Sequence, residues 1–235
     1  MNFEHIKNDM KQLVREPMML LLFCLPMFMF IVYKAIIVFL IPYLNKHLSF
    51  NLADYYLYIL SFALIMTPAM LGIVIGFMMI DERDGKIAEL MTVTPLGRSG
   101  YLYNRLSFAF IATVVYTFMG YFTVNIYKLP LLVVFLLSIL LGILSIILGM
   151  IIFTVATDKV KGLTYAKGIN FMLLFCLSDL LNERWLTNFS MFFPTYWITE
   201  IIQNPKSIVV FSSAVLVHAI WLIIILFRDY HRSTI

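Results

Sequence analysis

Residues 55–80 read YYLYILSFALIMTPAMLGIVIGFMMI, a run without a charged side chain that stops at Asp81-Glu82-Arg83-Asp84. A helix needs about 20 consecutive apolar residues to cross the hydrocarbon core of a bilayer. A run of this length can cross the membrane and still tilt. The stretch therefore predicts a transmembrane helix that ends at a charged boundary.

The composition extends this interpretation to the whole chain. Of its 235 residues, 62% are hydrophobic and 13% are charged, whereas soluble domains have about 45–50% apolar and about 25% charged residues. The mean hydropathy is +0.94. A water-soluble globule is excluded, and we predict an all-α integral membrane protein in which residues 1–235 form a single transmembrane domain. The net charge of +4 comes from basic residues between the apolar runs, so no nucleic-acid partner is indicated.

Six apolar runs predict six transmembrane helices: 18–40, 55–80, 106–127, 129–157, 168–182 and 207–227. The polar link 158–167 is predicted to be a cytoplasmic turn. The fifth run extends roughly 22 Å as a helix, against a hydrocarbon core of about 30 Å. Residues 185–197, which are rich in aromatic side chains and contain Pro194, are therefore predicted to form a re-entrant or interfacial segment at the outer side.

The first residues of the chain have a different pattern. Residues 2–16 place apolar side chains at helical spacing opposite Lys7 and Lys11. This pattern predicts an interfacial elbow helix that turns into the first span at Pro17. A solvated amphipathic leader is the alternative.

The distribution of Lys and Arg predicts the orientation. The side of the termini holds Lys7, Lys11, Arg15, Arg83, Lys86, Arg98, Arg105, Lys159, Lys161, Lys167, Arg228 and Arg232. The opposite side holds Lys34, Lys46, Lys128, Arg184 and Lys206. By the positive-inside rule, both termini are predicted to be cytoplasmic in a multi-pass protein of the plasma membrane.

Small residues recur at helical spacing in two spans. They are Ser138, Gly142, Ser145 and Gly149 in the fourth span, and Gly72 and Gly76 in the second. Such rows allow helices to approach closely. They predict close packing within the bundle or across a dimer.

The link between the second and third spans contains a short apolar stripe. Ile87, Leu90 and Met91 stand at positions i, i+3 and i+4, and Pro95 and Gly97 end any helix soon afterwards. An exposed apolar stripe generally needs a partner surface. Either another protein or the cytoplasmic end of the bundle itself could cover it, and the residues alone leave both alternatives open.

The same link carries a resemblance to a known family. It contains Glu82-Arg83, Gly85, Leu90, Pro95-Leu96, Tyr101-Leu102 and Arg105. This order resembles the link between helices two and three of ABC-2-type permeases, the membrane subunits of one class of ATP-driven exporters. Asp9, Arg15-Glu16-Pro17 and Pro26 are similar to the elbow region of that family, and the six spans with a re-entrant segment match its fold.

The resemblance implies a coupling helix that docks in a groove of a separate ABC-type ATPase subunit. The residues that it assigns to docking are Glu82, Arg83, Gly85, Ile87, Leu90, Met91, Pro95 and Leu96. It also implies a second membrane subunit, expected to be an identical chain. Within the family, the compact chain most resembles exporters of antimicrobial or toxin peptides and of drugs.

The chain has no ATP site of its own. A phosphate-binding loop needs Gly-x-x-x-x-Gly-Lys followed by Ser or Thr. Gly85-Lys86 is followed by Ile87, and the upstream glycine position is Ile80. ATP and Mg are therefore expected on the partner ATPase, and no metal or cofactor is expected on this chain.

Sparse intramembrane charge argues against an ion-coupled carrier. It favours a path for a hydrophobic or amphipathic cargo, such as a peptide, a drug or a lipid-like molecule. Candidate path residues in the second and fifth runs are Phe62, Met66, Phe77, Asn170, Phe171, Met172 and Phe175. The alternative is that these side chains face lipid.

Two other classes of protein remain. A membrane-embedded enzyme needs clustered catalytic groups, and the four histidines are scattered at positions 5, 47, 218 and 231. A structural or receptor-like membrane subunit would need no ATPase. The prediction is therefore a permease rather than an enzyme, with these two classes as alternatives.

Overall fold

The computed structural model describes residues 10–11, 13–43, 52–87, 90 and 97–233. Within these residues the chain is helical with no strand, and six helices are long and apolar enough to cross a membrane. The all-α, six-span prediction is confirmed. The helices in the described ranges are α1 Pro17–Ala35, α2 Tyr56–Asp84, α3 Gly97–Val124, α4 Leu131–Val155, α5 Lys159–Leu173, α6 Arg184–Ser190, α7 Pro194–Gln203 and α8 Ile208–Ser233. α1 continues as a π-helix over Ile36–Leu40.

Two spans begin earlier than the sequence predicts. The fifth span begins at Lys159 rather than at residue 168, so the predicted turn 158–167 is wrong. The Asp158 side chain accepts a hydrogen bond from the Lys161 backbone N–H at 2.8 Å and caps α5. The third span begins at Ser99 rather than at residue 106, and the charge of Arg105 within it is paired with Glu82.

The elbow helix lies mostly outside the described residues, which start at Met10. Met10, Lys11 and the three residues from Leu13 to Arg15 are helical. Leu13 has no exposed surface. This one side chain therefore anchors the described part of the elbow against the bundle, while its neighbour Val14 is 61% exposed.

α2 is the central helix of the bundle. Its apolar window is 94% buried, against 17% for α1 and for α8. It packs most closely on α4, where a Cβ atom on Gly72 would lie 2.9 Å from the carbonyl oxygen of Ser145. A Cβ on Gly149 would lie 3.0 Å from the carbonyl oxygen of Gly72. Gly72, Gly76, Ser145 and Gly149 of the predicted rows thus form an α2–α4 seam inside the chain, whereas Gly142 faces the Phe110 ring of α3.

The fifth span changes its helix type near its C-terminal end. After Leu173 the chain continues as a 3-10 helix over Leu174–Leu181, which is long for this conformation. Two hydroxyls of α7 bond to this span: Thr195 donates to the Met172 carbonyl at 3.0 Å and Thr199 to the Cys176 carbonyl at 2.9 Å.

These two contacts define the path of the predicted re-entrant segment. Because Thr195 pairs with residue 172 and Thr199 with residue 176, α7 runs parallel to the fifth span. α6 and the turn after it must therefore return from residue 184 to the level of residue 172, about nine residues or roughly 17 Å below the end of that span. Residues 184–203 form a helical hairpin that re-enters the bundle, and seven of the ten α7 residues are buried.

Removing both hydroxyls should loosen this hairpin slightly. We expect Thr195→Val with Thr199→Val to lower stability by about 1 kcal/mol, since interhelical hydrogen bonds in membrane proteins average about 0.6 kcal/mol each. The measurement is the apparent melting temperature in detergent. Thr164→Val is the matched control, because that exposed hydroxyl bonds only within its own helix, to the Val160 carbonyl. Equal melting temperatures for the two variants would contradict the assignment.

Candidate functional site

The segment after α2 exposes apolar side chains. α2 ends at Asp84, and the chain turns at Lys86, whose φ of 55° lies in the left-handed region. Beyond this turn, Ile87 is 45% exposed and Leu90 is 66% exposed. Of the predicted docking residues, Met91, Pro95 and Leu96 lie outside the described residues. We call Ile87 and Leu90 the docking pair.

Glu82, which the resemblance assigns to docking, lies inside the bundle instead. It is 2% exposed. Its carboxylate accepts hydrogen bonds from the Tyr101 hydroxyl at 2.7 Å and from Arg105 Nε at 2.8 Å, and Arg105 Nη2 donates to its second oxygen. A direct contact with an ATPase does not fit this position. Glu82 instead joins the end of α2 to the start of α3.

Arg83 also turns toward the bundle. Its guanidinium donates to the carbonyl oxygens of Phe153 at 3.3 Å and of Thr157 at 2.8 Å, at the end of α4. Its centre lies 5.6 Å from the Phe153 ring centroid. These are carbonyls that a helix end leaves without intrahelical partners. Gly85 caps α2, with its N–H donating to the Asp81 carbonyl at 2.8 Å.

A lysine that sequence analysis placed in a turn completes this region. Lys159 Nζ lies 2.7 Å from Asp81 Oδ2 and 3.2 Å from Glu16 Oε2. Glu16 caps the start of α1, and Lys159 is the first residue of α5. One ammonium group therefore connects the ends of α1, α2 and α5. No local pattern reveals this contact, because the three residues are far apart in sequence.

The predicted cargo-path residues occupy different environments. Phe77 is 1% exposed, and its ring covers Gly162, where a Cβ would lie 2.8 Å from the ring. In this conformation Phe77 belongs to the core rather than to a path. Phe62 and Met66 are half-buried, Asn170 and Phe171 are exposed, and Met172 and Phe175 are half-buried.

Two residues of this set belong to an aromatic cluster that the predicted path did not include as a whole. The Phe175 ring stacks on Phe193 at 4.2 Å between centroids and meets Phe189 at 5.4 Å and Phe171 at 6.1 Å. The high aromatic content of residues 185–197 was the available signal for Phe189 and Phe193. Phe171 is 65% exposed and Phe189 is 50% exposed, so this cluster presents open ring surface.

An acidic side chain lies near the outer end of the hairpin. Glu200 accepts a hydrogen bond from the Tyr196 hydroxyl at 3.3 Å and from the Asn204 amide at 3.4 Å. Partial burial, and secondly the neighbouring Asp179 carboxyl, raise the pKa of Glu200 above its ordinary value. Asp179 also accepts from the Thr187 hydroxyl at 3.3 Å. The side chains of Glu200 and Asp179 therefore lie within hydrogen-bonding distance of each other.

An apolar groove of about 490 Å³ opens elsewhere, between α3, α4 and α8. Its lining residues are Tyr103, Leu106, Ser107, Phe110, Ile111, Ile146, Leu222 and Leu226. The predicted path residues belong to α2 and the fifth span, so the groove is distinct from that path.

The fold defines a multi-pass integral membrane protein, and a family match places it among membrane permeases of ABC-2 type. The model of the family described as "Fluoroquinolones export permease protein Rv2686c-like" matches residues 9–227, and the chain belongs to this family. It is therefore a multi-pass membrane transport subunit rather than an enzyme.

Two curated relatives come from Mycobacterium tuberculosis. They are the fluoroquinolones export permease proteins MT2760 of strain CDC 1551 / Oshkosh and Rv2686c of strain ATCC 25618 / H37Rv. Each is 25% identical over 203 residues, which cover 83% of this chain and 78% of the relative. No solved structure matches the chain.

Proposed function

We propose that this chain is the membrane-spanning subunit of an ATP-driven exporter, powered by a separate ABC-type ATPase. The observation that carries the proposal is the docking pair, Ile87 at 45% and Leu90 at 66% exposure, placed directly beyond the charged end of α2. Exposed apolar side chains at an aqueous boundary favour a protein partner. ATP and Mg belong to that partner, and the docking pair and both termini face the cytoplasm.

The proposed cargo is an apolar or amphipathic molecule with a planar aromatic part. The open ring faces of Phe171 and Phe189 support this, because aromatic rings bind one another by offset stacking or edge contacts. The two curated relatives are named for fluoroquinolone export, so a fluoroquinolone drug is the first cargo to test. Peptide cargo is the second.

The proposed working unit contains two membrane chains and two ATPase subunits. α1 and α8 are only 17% buried in their apolar windows, which leaves apolar surface for lipid and for a second copy. The groove and the aromatic cluster both open at the surface of the single chain. An enclosed path would therefore need the second chain.

Transport in inside-out vesicles tests this function. Vesicles containing the chain and its ATPase should accumulate a fluorescent fluoroquinolone when ATP is added, and collapsing the proton gradient at constant ATP should leave uptake intact. Uptake driven by a proton gradient without ATP would contradict the proposal. A nonhydrolysable ATP analogue and vesicles that contain the ATPase alone are the controls.

A further inference from the structure

We propose that Asp81, Glu82 and Arg83 are positioning residues that connect the docking pair to the ends of four other helices. This inference rests on the proposed function, because it concerns how the movement of an ATPase reaches the spans. We call these three residues the hub. The family resemblance assigned Glu82 and Arg83 to the ATPase interface, whereas in this structure both side chains turn toward neighbouring helices.

Helix geometry explains how three consecutive residues reach different neighbours. Successive side chains on an α-helix point about 100° apart. Asp81 contacts Lys159 of α5, Glu82 contacts Tyr101 and Arg105 of α3, and Arg83 contacts carbonyls at the end of α4. Because α2 is the central helix, the three directions are all occupied by other helices. α1 joins through Glu16, which shares Lys159 with Asp81.

The hub and its partners on α3 lie on either side of the docking pair in the sequence. Asp81, Glu82 and Arg83 precede it, and the Glu82 partners Tyr101 and Arg105 follow it. The Arg105–Glu82 pair is bidentate and buried, which fixes its geometry more tightly than a single exposed ion pair would. A displacement of the docking pair therefore moves α2 and α3 together instead of bending a free hinge.

Lys159 extends the connection to α1 and α5. Its ammonium is the cation between two carboxylates that belong to different helices, and without it Asp81 and Glu16 would repel each other. If the hub only stabilised the fold, loss of Lys159 would lower the melting temperature but not the cargo moved per ATP. If the hub positions the helices, the cargo moved per ATP must fall.

The experiment compares three variants in proteoliposomes that contain the chain and its ATPase. Lys159→Met removes the charge, and Lys159→Arg keeps it. Lys161→Met removes a charge of the same helix that, among the described residues, pairs with Asp158 at 3.9 Å. We expect fluoroquinolone transport per ATP to fall about tenfold in Lys159→Met, within the range of typical coupling effects. Lys159→Arg and Lys161→Met should keep the parent ratio, and all three should still bind the ATPase.

A second variant removes both members of the buried ion pair. Glu82→Leu combined with Arg105→Leu replaces the pair by apolar groups, which is often tolerated for folding. We expect this variant to insert, to bind the ATPase and to lose transport per ATP as Lys159→Met does. If Lys159→Met and the double leucine variant both transport as much cargo per ATP as the parent chain, the proposed positioning role of the hub is wrong.

A distance measurement on the chain alone separates failure of the hub from failure of the proposed function. Spin labels replace the exposed side chains Tyr103 on α3 and Val160 on α5, in a background with Cys24→Ala and Cys176→Ala. Lys159→Met should broaden the label–label distance distribution, and Lys161→Met should not. If the label–label distance distribution of Lys159→Met equals that of the parent chain, the positioning role of the hub is wrong, whether or not an ATPase binds. A parent chain that binds no ATPase instead overturns the proposed function.

Discussion

Replacing Ile87 and Leu90 by aspartate together is expected to abolish binding of the ATPase subunit. The two side chains are 45% and 66% exposed and adjoin the charged end of α2. Binding would bury them, and each aspartate would then carry an unpaired charge into an apolar contact. Loss of a strong contact residue costs about 2–4 kcal/mol, which corresponds to roughly 30-fold to 1000-fold weaker binding.

Pull-down of the ATPase with the detergent-solubilised chain, followed by ATP hydrolysis of the complex, measures this effect. Val160→Asp is the matched control, because Val160 is 75% exposed at the start of α5 but lies outside the link between α2 and α3 that carries the docking pair. The control should bind the ATPase as the parent does. Undiminished pull-down by the Ile87→Asp, Leu90→Asp chain would remove the docking pair from the interface.

The second large effect concerns the seam between α2 and α4. Gly72→Leu is expected to prevent stable packing of the bundle, because even a Cβ at this position would lie 2.9 Å from the Ser145 carbonyl oxygen. That atom belongs to the backbone and cannot move aside by a rotamer change. Overpacking a well-packed core costs about 1–3 kcal/mol or more, and a leucine adds three further carbon atoms beyond the Cβ.

Size-exclusion profiles and apparent melting temperatures in detergent report this loss. Gly72→Ala should lower the melting temperature less than Gly72→Leu does. Gly168→Ala is the control: a Cβ there would meet nothing within 4 Å, and alanine is favoured over glycine in a helix by roughly 0.5–1 kcal/mol. Equal melting temperatures for Gly72→Leu and Gly168→Ala would show that the seam is open rather than close-packed.

The sequence predicted the spans and the small-residue rows because both depend on local pattern. Charge-free runs identify helices that can cross a bilayer, and the spacing of Gly72 and Gly76 identifies one face of a helix. The structure adds the pairing of this face with Gly149 on α4. That pairing depends on tertiary packing, and a row of glycines alone fits either a partner helix in the same chain or one in a second chain.

The start of α5 was mispredicted because its polar residues resemble those of a loop. Lys159 is stabilised by Asp81 and Glu16, which lie far away in sequence, and Asp158 supplies the helix cap. Hydropathy contains no information about such partners. A capping aspartate before a run free of proline was the one local signal for this helix.

The directions of the side chains at the end of α2 were not predictable from the sequence. Glu82 is adjacent to Asp81 and to Arg83 in the sequence. Successive side chains on an α-helix point about 100° apart, and this difference in direction decides whether a side chain faces water or protein. Burial of Glu82 follows from its pairing with Arg105. Without knowledge of that pairing, an acidic residue near a helix end fits an exposed interface equally well.

The 3-10 conformation makes the stretch Leu174–Leu181 longer than the same eight residues would be as an α-helix. A 3-10 helix rises about 2.0 Å per residue and an α-helix about 1.5 Å. Conversion of these eight residues to α-helix would shorten the C-terminal end of the span by about 4 Å without a break in the backbone.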